Sequence, residues 1–382
     1  MADVVVLGGG LGGVVAANRL RKLLPSERRV RIVERDPVVA FPPAFLRVLD
    51  GRREPRAITR DLRRLQRRDI DVTAATVTEL DTDAGVVRTD AGDVSYDQLV
   101  VALGASLAPE AVPGFAEAAH NVYTLGGAAT ARDALRDFDG GTVAIAVASM
   151  PYKCPAAPYE AAMLADAVLR KRGVRDRCVV RLSAPEPAPL PVAGPLVGES
   201  VEAMLRERDI EYRPVSPLGS VDAAASELVF ADGERVAYDL LLGVPAHVPP
   251  APLQGTLLVN EAGWMAVDAA TLETGVANVF GIGDAAGIML PNGMPLPKAG
   301  VFAHGEAEAV AHTIAHRITG RGSERRFDGH GSCFVETGGG RAAYAAGEFY
   351  AEDAGAVSLR GPSRWWLWYK SLFERHWLWR WY

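Results

Sequence analysis

The chain has 382 residues, 41 Lys and Arg against 47 Asp and Glu, and a net charge of -6, so it offers no broad basic field for nucleic acid. Its length exceeds what one core organises and predicts two or three domains, while three cysteines exclude a disulfide scaffold. No run of 18 apolar residues is present to span a bilayer, no metal-ligand pattern stands out, and no secretion signal is expected ahead of the first strand.

Val4-Val5-Val6-Leu7 reads as a buried strand running into Gly8-Gly9-Gly10-Leu11-Gly12-Gly13 and then a helix. Val30 to Glu34 follows as a second strand ending in an acid, with Arg35 behind it. This order is a dinucleotide cradle. Gly8 permits the tight turn, Gly10 lets backbone N–H groups approach a pyrophosphate, Gly13 allows close helix–strand packing, with Gly12 beside it, and Glu34 suits an adenosine ribose. Arg60 to Arg68 predicts a basic, solvated helix, and Val72 to Asp97 short hairpin-like strands. Leu99 to Ala105 is a third buried strand, ending at Gly104.

A second α/β unit opens with the strand Gly141 to Val147 and continues through a helix, Tyr159 to Arg172, and a strand, Cys178 to Ser183. A nicotinamide-binding unit needs a glycine-rich turn after its first strand. This chain has Ala148-Ser149-Met150-Pro151-Tyr152-Lys153-Cys154-Pro155-Ala156-Ala157-Pro158 instead, a stiff loop presenting Cys154. A lysine beside it and a helix start just ahead favour thiolate at Cys154. Glu160, at that helix start, is a candidate proton carrier or simply a carboxylate favoured by the helix dipole. Val279-Phe280-Gly281-Ile282-Gly283-Asp284 is a further strand ending in Gly-Asp, and Pro297-Lys298-Ala299-Gly300 opens a long helix to Ile318. The glycines around Cys333, from Gly329 to Gly340, allow a planar ligand to approach; His330 nearby is a second candidate proton carrier, and Cys178 reads as structural. The expected fold is α/β, with two Rossmann-like domains. Residues 1–108 and 253–325 form the first, 109–252 the second, inserted into it, and 326–382 a C-terminal region.

Six of the seven tryptophans fall in the last 22 residues. Pro362 and Ser363 can start a helix on which Trp365, Tyr369, Leu372, Phe373, His376 and Trp377 share a face, with Arg364, Lys370, Arg375 and Arg380 free for phosphates. That reads as an interfacial amphipathic helix on a lipid bilayer surface, separable from the rest of the chain, or else as a helix packed in a homo-oligomer interface.

Taken together, Gly8 to Gly13, Gly281 to Asp284, the loop Pro151 to Pro158, Pro297 to Gly300 and the Trp-rich tail resemble the sulfide:quinone oxidoreductases and the flavoprotein subunit of flavocytochrome c sulfide dehydrogenases. The resemblance covers essentially the whole chain and places it among flavoproteins with two dinucleotide-binding domains. It implies FAD as cofactor, with Asp284 on the ribityl chain and Gly104 and Gly283 admitting the cofactor backbone. It also implies that Lys298 and Ala299 lead a helix whose positive end faces the pyrimidine side of the flavin. Cys154 and Cys333 would be the redox pair: hydrosulfide attacks their disulfide, leaving a persulfide and a thiolate, and two electrons pass through flavin to membrane quinone. The implied location is peripheral, on the cytoplasmic side of the cell membrane. Members with a third cysteine carry it near the segment that here reads His120 to Thr124, where this chain has none. The rival readings are an NAD(P)H:quinone oxidoreductase of the same architecture and a binding protein that retains FAD without catalysis.

Overall fold

In the computed structural model, which describes residues 3–351 and 357–382, the Val-rich runs form parallel sheets buried on both faces. The first sheet has the order Val279–Gly281, Gln98–Val101, Val4–Leu7, Val30–Glu34, Asp71–Ala74, every pair parallel. Side chains alternate across it. Val4 and Val6 pack with helices Leu11–Leu23 and Gly300–Thr319, whereas Val5 and Leu7 pack against an antiparallel layer containing Leu80 and Val87. Residues beyond 253 thus return to the first sheet, on the edge beside Gln98–Val101.

The second parallel sheet has the order His120–Asn121, Leu240–Val244, Gly141–Val147, Cys178–Ser183, Ile210–Arg213. Helix Ala157–Arg172 covers it and stops at Gly173, whose φ of 74° is the left-handed geometry that glycine supplies at a helix end. Where the chain crosses between the two sheets, Ser106–Ala108 and Ala246–Val248 run side by side as an antiparallel pair. A third, antiparallel sheet of His330–Gly338, Arg341–Glu348 and Val357–Ser363 leads into helix Arg364–Trp381, where the Ser363 hydroxyl accepts the Trp366 N–H at 3.2 Å. Among the described residues, no helix is long and apolar enough to cross a membrane.

Two expectations need correction. Arg60 to Arg68 is no solvated α-helix: it is the end of strand Thr59–Asp61 and a 3-10 helix, Leu62–Arg68, whose Leu62 and Leu65 are fully buried. The terminal helix carries two faces rather than one broad aromatic stripe. Trp377, Leu378 and Trp381 belong to the first core, with the Trp377 ring 4.8 Å from Phe41, while Trp365, Trp368, Tyr369, Leu372, Phe373 and Trp379 are exposed.

Candidate active site

A cleft of about 880 Å³ runs along the C-terminal ends of the first sheet, from Glu34 and Arg35 past Gly8, Gly10 and Gly12 to Asp284, Lys298 and Cys154. That is where a doubly wound sheet binds its ligand. Gly8 has a φ of 98° and its missing Cβ would run into the Ala102 carbonyl; the missing Cβ of Gly13 would run into the Gly8 carbonyl. At Gly10 and Gly104, in contrast, the direction of a Cβ is open. The helix that follows begins at Gly10 with no side-chain cap and no acid in its first turn, so its N–H groups remain for an anion. Glu34 accepts the Gly9 N–H at 2.7 Å and the Asp36 N–H at 3.1 Å, which fixes its carboxylate on the cleft wall with lone pairs to spare. These residues fit a bound dinucleotide: bare N–H groups in the middle and an acid at one end.

Toward the other end, Gly283 and Asp284 form a short turn after the last strand. Burial raises the Asp284 carboxyl, against the pull of Lys153 and Lys298. Lys298 lies just before helix Gly300–Thr319, which like the first helix starts with neither a side-chain cap nor an acid in its first turn. Its ammonium donates to the Asp284 carbonyl at 2.7 Å and stands 3.5 Å over the Trp264 ring, and burial lowers it to about 8. Ala299 caps the helix and lines a small void behind the cleft.

Cys154 lies on the cleft wall in a left-handed conformation, φ 52°, and its N–H donates to the Lys298 carbonyl at 2.6 Å. The cysteine loop is thereby tied to the segment that leads the second open helix. Helix Ala157–Arg172 brings Glu160 against the third sheet, where its carboxylate accepts the Glu336 N–H at 2.5 Å. Cys333 lies on that same strand, paired with Ala345. From the terminal helix, Lys370 reaches Glu160 at 3.4 Å and Glu336 at 3.0 Å. Arg47 stands 3.2 Å from Glu336 and 2.6 Å from Glu374, and Arg52 bonds both Asp50 and Glu336.

The electrostatics of this cluster differ from expectation. Burial, then Cys333 and Glu160, push the Cys154 thiol well up, and burial and Glu160 push Cys333 up to about 11; Lys370 opposes both shifts. Burial thus works against the thiolate expected at Cys154 from Lys153 and the helix start. Burial also raises Glu160, whereas at Glu336 the burial cost is outweighed by Lys370, Arg52 and Arg47, which hold it at about 2. Lys370 is raised because Glu160 and Glu336 outweigh its own burial, so it is not free for lipid phosphates. Nor is the terminal helix a separable tail, since Arg47 and Arg53 both pair with its buried Glu374. Two of the glycines near Cys333 serve packing: Gly331 makes room for the Phe302 ring and Gly338 for Met163 and Ala167. His330 is exposed and bonds Glu348 at 2.7 Å. Cys178 is buried and its S–H donates to the Val174 carbonyl.

In the corresponding place of the second sheet, side chains bond one another. Beyond its strand Cys178–Ser183, the buried Glu186 accepts the phenol O–H of Tyr159 at 2.9 Å and that of Tyr152.

The sequence pattern of one protein family, pyridine nucleotide-disulphide oxidoreductase, matches residues 2–307. The chain belongs to that family. This oxidoreductase is similar to the sulfide-quinone reductase of Aquifex aeolicus, 26% identical over 99% of this chain and 90% of that protein. It is also similar to the mitochondrial sulfide:quinone oxidoreductase of Mus musculus, 27% identical over 92% of this chain and 79% of that one. A type II NADH:quinone oxidoreductase of Staphylococcus aureus is 23% identical over 84% of each chain. The crystal structure of the Aquifex aeolicus sulfide:quinone oxidoreductase superposes over all of this chain and 91% of that one, with a TM-score of 0.89 at 24% identity. The cofactor of this oxidoreductase is FAD, and the cleft offers it a bare helix start and a placed acid.

Sequence reasoning named Lys370 only as a contact for phosphates, and did not single out Glu336, Glu186 or Glu306. Lys370 and Glu336 carried a faint signal, a lysine within an aromatic helix and an acid three residues past Cys333. Glu186 and Glu306 carried none that separates them from solvated carboxylates.

Proposed function

We propose that this oxidoreductase oxidises sulfide to sulfane sulfur through Cys154 and Cys333 and passes the electrons through FAD to a membrane quinone. The observation that carries the reading is the placement of Cys154: it lies on the cofactor cleft, and Glu160, six residues on, bonds the strand that carries Cys333 and pairs with Lys370. The names of the Aquifex and mouse relatives give the same substrates.

In this reading the oxidised pair is a disulfide. Hydrosulfide attacks one sulfur, the Cys154–Cys333 bond breaks, and a persulfide forms on one cysteine while the other leaves as a thiolate. Glu160 takes the proton released when the persulfide ionises, a role suited to a buried carboxyl whose affinity for protons is raised. Lys370 offsets the negative charge that develops on sulfur. Bound in the cleft that Cys154 lines, FAD would supply a two-electron acceptor. Lys298 and the open start of helix Gly300–Thr319 place positive potential on that side of the cleft. The exposed rings Trp365, Trp368, Phe373 and Trp379 suit the headgroup level of a bilayer, with Arg364 and Arg375 exposed beside them, giving a peripheral protein that meets quinone at the membrane.

The test is anaerobic titration of the flavin. Sulfide bleaches the wild type, NADH does not, and Cys154→Ser and Cys333→Ser each abolish bleaching while FAD stays bound. Rapid bleaching by NADH, with sulfide inert, would overturn the proposal.

A further inference from the structure

Behind the turn that carries Asp284 lies a buried acid that the sulfur chemistry does not use. Glu306 sits two turns into helix Gly300–Thr319, is 2% exposed, and accepts the Gly283 N–H at 2.5 Å. A small void of about 10 Å³, lined by both Glu306 and Lys298 and by Ala286, Leu296 and Phe302, has room for a single water. Gly283 and Lys298 line both this void and the cofactor cleft, so Glu306 stands one layer behind the cleft wall. Lys298 donates to the carbonyls of Asp284 and Ala286 and forms no direct ion pair with Glu306. The other titratable groups facing this carboxyl are Asp284 and Tyr350, and the Tyr350 phenol is engaged with the Ala269 carbonyl at 2.7 Å.

We propose that Glu306 is a positioning residue of the cofactor site that ties proton uptake to the reduction potential of the bound FAD, acting across the void through Lys298 and the Gly283–Asp284 turn. The physical reason is charge balance in a dry place. A carboxylate there adds a second negative charge beside Asp284, with one N–H and a distant ammonium to offset it. Burial accordingly lifts Glu306 to about 8, the Gly283 N–H opposing and Asp284 adding to the rise. Below that pH the acid is neutral in both redox states. Above it, the oxidised protein carries a Glu306 carboxylate. Two electrons arriving on the other side of Lys298 then raise its proton affinity, and one proton moves from solvent to the carboxylate for each electron pair. Burial also brings Lys298 down to about 8, so proton uptake belongs to the pair, and removing the carboxyl alone tells the two groups apart.

The inference rests on FAD occupying the cleft and not on sulfide as substrate, because the electrons can be delivered by an electrode or by dithionite. The midpoint potential of the FAD-loaded protein is followed from about pH 6 to about pH 10 for wild type and Glu306→Gln. The wild-type plot steepens above about pH 8 by one proton per two electrons. The variant keeps an acceptor for the Gly283 N–H, coincides with wild type at the acid end, loses the steepening, and lies at higher potential at the alkaline end. A bend that survives in Glu306→Gln assigns it to Lys298 or to the cofactor, and a wild type with no bend leaves Glu306 unlinked; either result overturns the inference. Should the variant lose FAD, oxidised-minus-reduced infrared difference spectra of the wild type above pH 8 decide the matter. A protonated-carboxyl band that grows on reduction supports the linkage, and its absence overturns it.

Discussion

Strands Val4–Leu7 and Gly141–Val147 each lie at the centre of a five-stranded parallel sheet, each turn into a helix, and each have a neighbouring strand leading to an acid, Glu34 or Glu186. What differs is what fills the turn. In the first unit Glu34 is fixed by backbone N–H groups, and the helix start has no acid or cap of its own. In the second the chain supplies its own ligands: two phenols bond Glu186, and Glu160 sits in the first turn of the helix. One layout therefore yields a nucleotide cradle when its donors and acceptor are left unspent, and a rigid seat for a thiol when side chains spend them.

The strongest way to break this comparison is at the first turn. Gly13→Ala forces a Cβ into the Gly8 carbonyl, at a cost of about 3 kcal/mol or more, so FAD content after purification should fall at least about tenfold with a lower Tm. Full flavin occupancy in that variant would remove backbone packing as the basis of the cradle.

The second seat should fail through side chains instead. Lys370→Met leaves Glu160 and Glu336 without their shared cation and should cost about 3–5 kcal/mol in denaturant unfolding. It should also slow alkylation of Cys333 at fixed pH, because a cation that lowers that thiol is gone. An unchanged alkylation rate would separate Lys370 from the thiols.

A smaller loss is expected from Tyr152→Phe, Tyr159→Phe, which strips Glu186 of both phenol donors: about 1–3 kcal/mol, with FAD retained and Cys154 alkylated faster as its loop loosens. NADH-dependent flavin reduction appearing in that variant would mean the phenols alone had closed a nicotinamide site.

The pH dependence follows from Glu336, whose folded value near 2 lies below the ordinary 4.5. Its contribution is fully present above about 4.5 and is lost as pH falls toward 2, so Glu336→Gln should show a shallower acid limb in unfolding midpoints than wild type. The smallest effect belongs to Cys178→Ser, which exchanges one buried donor to the Val174 carbonyl for another and should change stability by less than about 1 kcal/mol, with flavin reduction unaltered.

Local pattern was enough for much of this molecule. Runs of Val and Leu gave both sheet centres, Gly8 to Gly13 gave the first turn, and the missing glycines after Val147 marked the second as different, because strand period, φ > 0 and Cβ clashes are properties of neighbouring residues. The two halves of the first sheet were also legible, from strands ending in glycine on either side of the second unit. What tertiary structure alone decided is who meets whom across the chain. Glu160 finds Glu336 at a separation of 176 residues and Lys370 at 210, and Tyr159 finds Glu186 at 27. No periodicity encodes such pairings. The tail shows the same limit: Trp377 and Trp379 are both aromatic residues of one helix, yet the first packs into the core against Phe41 and Tyr382 and the second is exposed. The charge state of a buried carboxyl is decided there too, since Glu306 and Glu336 read alike in sequence. One meets a single N–H beside another acid and the other meets three cations, which sets them on opposite sides of the ordinary value.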